Sequence, residues 1–129
     1  MSEYEIIDAI ASLQGEGGRA FMDFITVLFA YVVVAHFVGA GLSRVTVSLL
    51  TIIYSAFAVA DAAGVHNALS LLQGVQAKYS SELASLGFPR QVQTTDPYLP
   101  RVLIGLAWAL SLAYMYQVRK KARKPLPSV

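Results

Sequence analysis

The sequence contains no cysteine among its 129 residues. This absence excludes a disulfide framework, a thiolate metal site and a cysteine nucleophile. Charged residues are also scarce, at 14%, which is too few to cover the surface of a soluble domain of this length. Hydrophobic residues make up 56% of the chain instead. This balance places the protein in the membrane class.

Residues 1–20 lack the basic start and apolar core of a cleavable signal peptide. Apolar side chains recur there at helical spacing, and Ser2 with Glu5 fits a capping box. We therefore predict a short amphipathic amino-terminal helix, with a frayed, solvated terminus as the alternative. The glycine-rich segment 15–18 is expected to end this helix and to act as a hinge.

Three long apolar segments are each predicted to cross a membrane, at residues 21–40, 45–65 and 102–118. The first two form a hairpin over 21–65, and each is long enough for a hydrocarbon core of about 30 Å. The third is shorter, but serine and glutamine are its only polar side chains. The predicted fold class is an all-α membrane protein with three transmembrane helices and a short amino-terminal amphipathic helix. An extramembrane helix between spans 2 and 3 completes it.

That extramembrane helix is predicted within an outer segment, residues 66–101, because 67–86 is helical in pattern but too polar to cross. It carries an apolar stripe. The stripe consists of Leu69, Leu72, Val75, Tyr79, Leu83 and Leu86. Gly87 is placed as its C-cap and Pro89 prevents its continuation. The pattern leaves open whether this helix continues the second span or lies on the membrane surface.

The carboxy-terminal tail, residues 119–129, is strongly basic. Its cations are Arg119, Lys120, Lys121, Arg123 and Lys124. Because positive residues stay on the cytoplasmic side during insertion, we predict a cytoplasmic carboxy terminus and an outside amino terminus in a bacterial inner membrane. The tail is expected to contact anionic lipid headgroups. Nucleic-acid binding is not expected, because the cluster has no interleaved aromatic residues.

Asp61 is the most informative polar residue, because a carboxylate in a membrane segment usually faces a partner, a water-filled cavity or a proton path. Asp23 is expected at similar depth on the first span, and His66 lies just beyond the second. These three residues are candidates to bind a cation or to pass a proton. The alternative, which we favour, is that Asp61 pairs locally while the other two meet lipid headgroups.

His36 lies near the inner end of the first span, where a histidine can ligate haem or a metal. A bis-histidine haem would need a second histidine at matching depth, and His66 falls at the opposite face. We therefore expect an interfacial, hydrogen-bonded histidine. No cofactor and no metal is predicted for this chain.

Small residues recur at every fourth position in two spans and are predicted to be helix-packing faces. They are Ala56, Ala60 and Gly64 in the second span, and Gly105, Ala109 and Ala113 in the third. Small side chains let helix backbones approach closely in lipid, so both faces are expected to be buried against helices of this chain or another.

We expect a non-enzymatic subunit or assembly factor of a larger membrane complex, which docks through these faces and presents the leucine stripe to a partner. The alternative is a homo-oligomeric pore former, because the three-span plan with a basic tail resembles small phage holins in layout. A second alternative is ion or proton conduction using Asp61. Catalysis is not expected, because no nucleophile-base pair or metal triad can be assembled at one depth.

Overall fold

The computed structural model describes residues 2–87, 96 and 98–124. This part of the chain folds into helices α1 (Glu3–Val38), α2 (Arg44–Lys78), α3 (Ser80–Ser85) and α4 (Tyr98–Ala122), and it contains no strand. Three of these helices are long and apolar enough to cross a membrane. The predicted fold class, an all-α membrane protein with three spans and a short additional helix, is confirmed.

Helix α1 passes through the glycine-rich segment without a break, so the predicted hinge at residues 15–18 is wrong. The amino-terminal segment and the first span form one 36-residue helix. Glycine costs a helix interior about 1 kcal/mol relative to alanine, but here it also removes bulk at a contact. Gly17 is buried, and a Cβ placed on it would lie 3.5 Å from Cβ of Ala68 on α2. Packing against α2 therefore supports a helix that the isolated sequence disfavours.

Helix α2 continues the second span without a break at Gly64 and runs to Lys78. The first part of the predicted outer helix is thus an extension of this span. The chain then turns at Tyr79 into the short helix α3, and Gly87 follows with φ of 80°. This left-handed conformation suits glycine and agrees with the predicted stop. The stop predicted at Pro89 lies outside the described residues, as do residues 125–129 of the tail.

The two long helices exceed the thickness of a bilayer. At 1.5 Å per residue, α1 with 36 residues and α2 with 35 residues are each more than about 50 Å long. A hydrocarbon core is about 30 Å thick. Helix α4, with 25 residues, comes much closer to that thickness. Helices α1 and α2 are therefore each longer than one crossing of the hydrocarbon core requires.

Two clusters of buried side chains hold the three long helices together. The first contains Phe24, Ala58, Val65 and Ile104, and the second contains Tyr31, Ala35, Tyr54 and Met115. Large apolar side chains outside these clusters face outward, including Phe29 at 70% and Leu110 at 70% exposure. Such a surface would aggregate in water but is the natural exterior of a protein surrounded by lipid.

Candidate functional site

Two side-chain contacts link α4 to the end of α1 and to the turn between α1 and α2. His36 Nδ1 lies 2.7 Å from the hydroxyl oxygen of Tyr114. Arg119 donates a hydrogen bond of 2.9 Å to the backbone carbonyl of Leu42. The end of α1, the start of α2 and the end of α4 therefore meet at one place. We call it the basic end, residues 36–48 and 114–124.

Aromatic and hydroxyl side chains form a polar layer inside the bundle, and sequence reasoning missed it. The rings of Tyr31 and Tyr54 stack at 4.3 Å with an interplanar angle of 13°. The Tyr31 hydroxyl lies 3.0 Å from Oγ1 of Thr51. Ser111 Oγ on α4 lies 2.9 Å from the Tyr54 hydroxyl oxygen. Each buried hydroxyl thus has a partner, as a low-dielectric interior requires.

Trp108 extends this layer toward the middle of α4. Its indole Nε1 donates a hydrogen bond of 3.0 Å to Oγ of Ser55 on α2. Its backbone carbonyl accepts a hydrogen bond of 2.7 Å from Ser111 Oγ. The signal that could have revealed the layer is spacing. Tyr54 and Ser55 each follow Thr51 by about one helical turn on α2, and Ser111 follows Trp108 by about one turn on α4.

The predicted acidic group is only partly assembled. Asp61 interacts electrostatically with Asp23 on α1, and the His66 ring lies 5.4 Å from the ring of Tyr98. Asp61 Oδ2 and His66 Nδ1 are buried atoms with no hydrogen-bond partner among the described residues. Within the described ranges, no three histidine, aspartate or glutamate side chains are placed to hold a metal ion. A three-ligand cation site at these residues is therefore not formed.

The small-residue faces mostly point outward, and only Gly64 packs closely against another helix of this chain. A Cβ on Gly64 would lie 3.3 Å from Cβ of Ala20 on α1. The other five residues are exposed. They are Ala56, Ala60, Gly105, Ala109 and Ala113. Other small residues, among them the buried Ala35, Ala58 and Ala68, make the internal contacts instead.

Two members of the predicted apolar stripe are buried within the chain, whereas Leu86 is exposed. Leu72 and Leu83 are buried. Helix α3 begins directly after the turn at Tyr79.

The cations of the tail are divided between two faces of the helix end. Arg119, Lys120 and Arg123 line a cavity of about 400 Å³ together with Arg44 of α2. Lys121 and Lys124 are exposed and do not line this cavity. Part of the basic tail thus lines a cavity.

The helices, their outward apolar surface and the basic end define an all-α protein with three helices able to cross a membrane. Comparisons with protein-family models, with curated proteins and with solved structures find no match to this chain.

Proposed function

We propose that this protein is a non-catalytic subunit or accessory factor of a larger membrane complex. One observation carries the proposal, which is the outward small-residue stripe of α4. It consists of Gly105, Ala109 and Ala113. No heavy atom of another helix lies within 4 Å of a Cβ placed on Gly105. A second helix can therefore approach the α4 backbone closely along this stripe.

The opposite faces of α4 support this assignment. Ile104, Ser111 and Met115 are buried against α1 and α2. The internal contact of α4 is thus complete without the stripe. In lipid, helices associate through close packing and hydrogen bonds, because apolar side chains gain little by leaving lipid tails for protein. An unused close-packing face is consequently the natural place for a further helix.

We further propose that the basic end faces the cytoplasm of a bacterial cell and that the amino terminus lies outside. Arg44 and the tail cations gather at this end, whereas Glu3, Glu5 and Asp8 lie at the opposite end of α1. Positive residues next to a span are retained in the cytoplasm during insertion. A reporter fused after Val129 should be active in the cytoplasm, and periplasmic activity of this fusion would reverse the orientation.

Substitution of Ala109 tests the docking face. Ala109→Ile adds bulk to the centre of the stripe, so the full-length chain should stay folded and lose its partner. Complex mass in mild detergent and thermal unfolding would be measured together. Overpacking of a close contact typically costs about 1–3 kcal/mol, which corresponds to a loss of roughly five-fold or more in complex stability.

Ala30→Ile is the matched control, because Ala30 is an exposed alanine of α1 outside the stripe. It should retain the complex. An Ala109→Ile chain that keeps the wild-type complex mass would remove the support for docking through α4. A complex made only of copies of this chain, lost in the same variant, would favour the pore-forming alternative instead.

A further inference from the structure

We propose that the basic end contains a discrete binding site for the phosphate-bearing headgroup of an anionic phospholipid. The site lies between the start of α2 and the end of α4. Its cations are Arg44, Arg119, Lys120 and Arg123. The proposal requires that the helices cross a membrane and is independent of any partner at the α4 stripe.

The cavity is built from two helices. Arg44, Val47 and Ser48 come from the first turns of α2, and their spacing of three and four residues places them on one side of the helix. The other wall comes from the end of α4 and the residue after it, again at spacings of three and four residues. It consists of Tyr116, Arg119, Lys120 and Arg123. The volume of about 400 Å³ lies within the usual range of small-molecule sites.

No acidic side chain is among the described residues that line this cavity. All eight acidic residues lie elsewhere in the sequence. They are Glu3, Glu5, Asp8, Glu16, Asp23, Asp61, Glu82 and Asp96. Asp61 is the acidic residue nearest to Arg44 along α2, at about 25 Å on the helix axis. Four cations that face one cavity repel one another, and a bound anion relieves that repulsion.

One of the cations is held in place by the fold. The Arg119 guanidinium donates to the carbonyl of Leu42 at 2.9 Å and is half-buried. A guanidinium has five N–H donors in a fixed planar arrangement. Those not engaged by Leu42 remain to bind phosphate oxygens. The Ser48 hydroxyl adds a neutral donor to the same cavity.

The apolar part of the wall distinguishes a phospholipid from a free anion. Val47 and Tyr116 line the cavity beside the cations. Val45 and Leu49 are exposed at 70% and 56% on the adjoining surface of α2. A tyrosine at this boundary has its ring in the apolar layer and its hydroxyl near the headgroups. A headgroup in the cavity would therefore have its acyl chains beside apolar side chains.

Paired charge substitutions separate this site from general attraction to a basic tail. Arg44→Gln with Arg123→Gln removes two positive charges from the cavity. Lys121→Gln with Lys124→Gln removes two from the other face of the same tail. Each cation near an anionic headgroup should change affinity about five-fold, so the cavity variant should weaken binding roughly 30-fold. The control variant should stay within about two-fold of wild type.

The probe is dihexanoyl phosphatidylglycerol, titrated into the full-length protein in a neutral detergent, with dihexanoyl phosphatidylcholine as the zwitterionic comparison. Bound lipid is counted by native mass spectrometry. We expect saturable binding of one anionic lipid and at least ten-fold weaker binding of phosphatidylcholine. Thermal unfolding verifies that each variant is folded. Arg123→Gln alone replaces the double variant if that one unfolds, because Arg123 follows the end of α4.

Three results would overturn the proposal. The first is equal weakening in the cavity and control variants, which indicates diffuse attraction to the tail. The second is binding of phosphatidylglycerol that never saturates. The third is inorganic phosphate binding as tightly as phosphatidylglycerol, which would identify a site for a free anion and not for a lipid headgroup.

Discussion

The two halves of the α1–α2 pair are joined by different chemistry. In the half away from the basic end, small residues bring the backbones together, with Gly17 against Ala68 and Gly64 against Ala20. Toward the basic end, aromatic rings and hydroxyl groups fill the contact, and a hydrogen bond joins it to Ser111 of α4. Close packing of small residues gives a contact that tolerates little added volume. Hydrogen-bonded side chains instead specify which residues face each other.

Gly64 is the most direct place to break the small-residue contact away from the basic end. Its substitution should give the largest loss of stability. Gly64→Ile adds a Cβ only 3.3 Å from Cβ of Ala20, and the further carbons of isoleucine cannot be accommodated without movement. We expect destabilisation by about 1–3 kcal/mol, the usual cost of overpacking. Reversible unfolding in mixed micelles would measure this loss.

Gly105→Ile is the matched control for that prediction. It makes the same chemical change in α4, where nothing lies within 4 Å of the added Cβ. Both substitutions raise helix propensity by a similar amount, so the difference between them isolates overpacking. Equal unfolding free energies for the two variants would mean that Gly64 is not a close contact. Close packing of small residues would then not explain how α1 and α2 are joined away from the basic end.

The contact near the basic end should lose less stability when one hydroxyl is removed. Tyr54→Phe removes the oxygen that lies 2.9 Å from Ser111 Oγ and leaves the stacked ring in place. Hydrogen bonds between membrane helices average about 0.6 kcal/mol and reach about 1.7 kcal/mol. We expect a loss within this range in the free energy of unfolding.

A double-mutant cycle sharpens this second prediction. Ser111→Ala should cost little more in a Tyr54→Phe background, because both changes remove the same bond. It should be additive with Tyr31→Phe to within about 0.5 kcal/mol, because the Tyr31 hydroxyl bonds to Thr51 and not to α4. Full additivity with Tyr54→Phe would show that the Tyr54–Ser111 bond does not hold α4.

The sequence predicted the features that depend on composition along the chain. The three apolar spans and the capping box at Ser2 require only local patterns. The continuity of α1 could not be predicted locally, because it depends on Ala68 packing against Gly17 from a distant part of the chain. Helix propensity argued for a break there, and tertiary packing outweighed it.

The contacts of the polar residues were harder to predict than the spans. Which side chains face each other depends on how each helix is rotated about its own axis. The every-fourth spacing found Gly64, which is packed, and Ala60, which is not. Both fit the same motif. Only the position of α1 beside α2 distinguishes them. For the same reason Tyr54 and Ser111, 57 residues apart, carried no detectable signal as a pair.

The smallest predicted effect concerns the first turn of α1, at the end of the α1–α2 pair away from the basic end. Glu5 Oε2 accepts a hydrogen bond of 2.7 Å from the backbone N–H of Ser2, and Glu5 donates its own N–H to Ser2 Oγ at 3.4 Å. The hydrogen bond from the Ser2 backbone, followed by the side-chain interaction with Ser2, holds the pKa of the Glu5 carboxyl below its usual value. The contribution of the cap should therefore be present above the ordinary glutamate pKa and lost as the pH falls through the lowered pKa of Glu5. We expect the first turn to fray on acidification while the rest of α1 stays helical.

Two substitutions at one position dissect this effect by NMR titration of the Glu5 side chain. Ser2→Ala removes the hydroxyl, and Ser2→Pro also removes the backbone N–H. The Ser2 φ of −71° suits proline without strain. The pKa of Glu5 should rise a little in Ser2→Ala and further, toward its ordinary value, in Ser2→Pro. Glu5→Gln should abolish the pH dependence of the first-turn chemical shifts. If Glu5 titrates at the same pH in wild type and Ser2→Pro, the carboxylate does not cap α1, and the fraying has another cause.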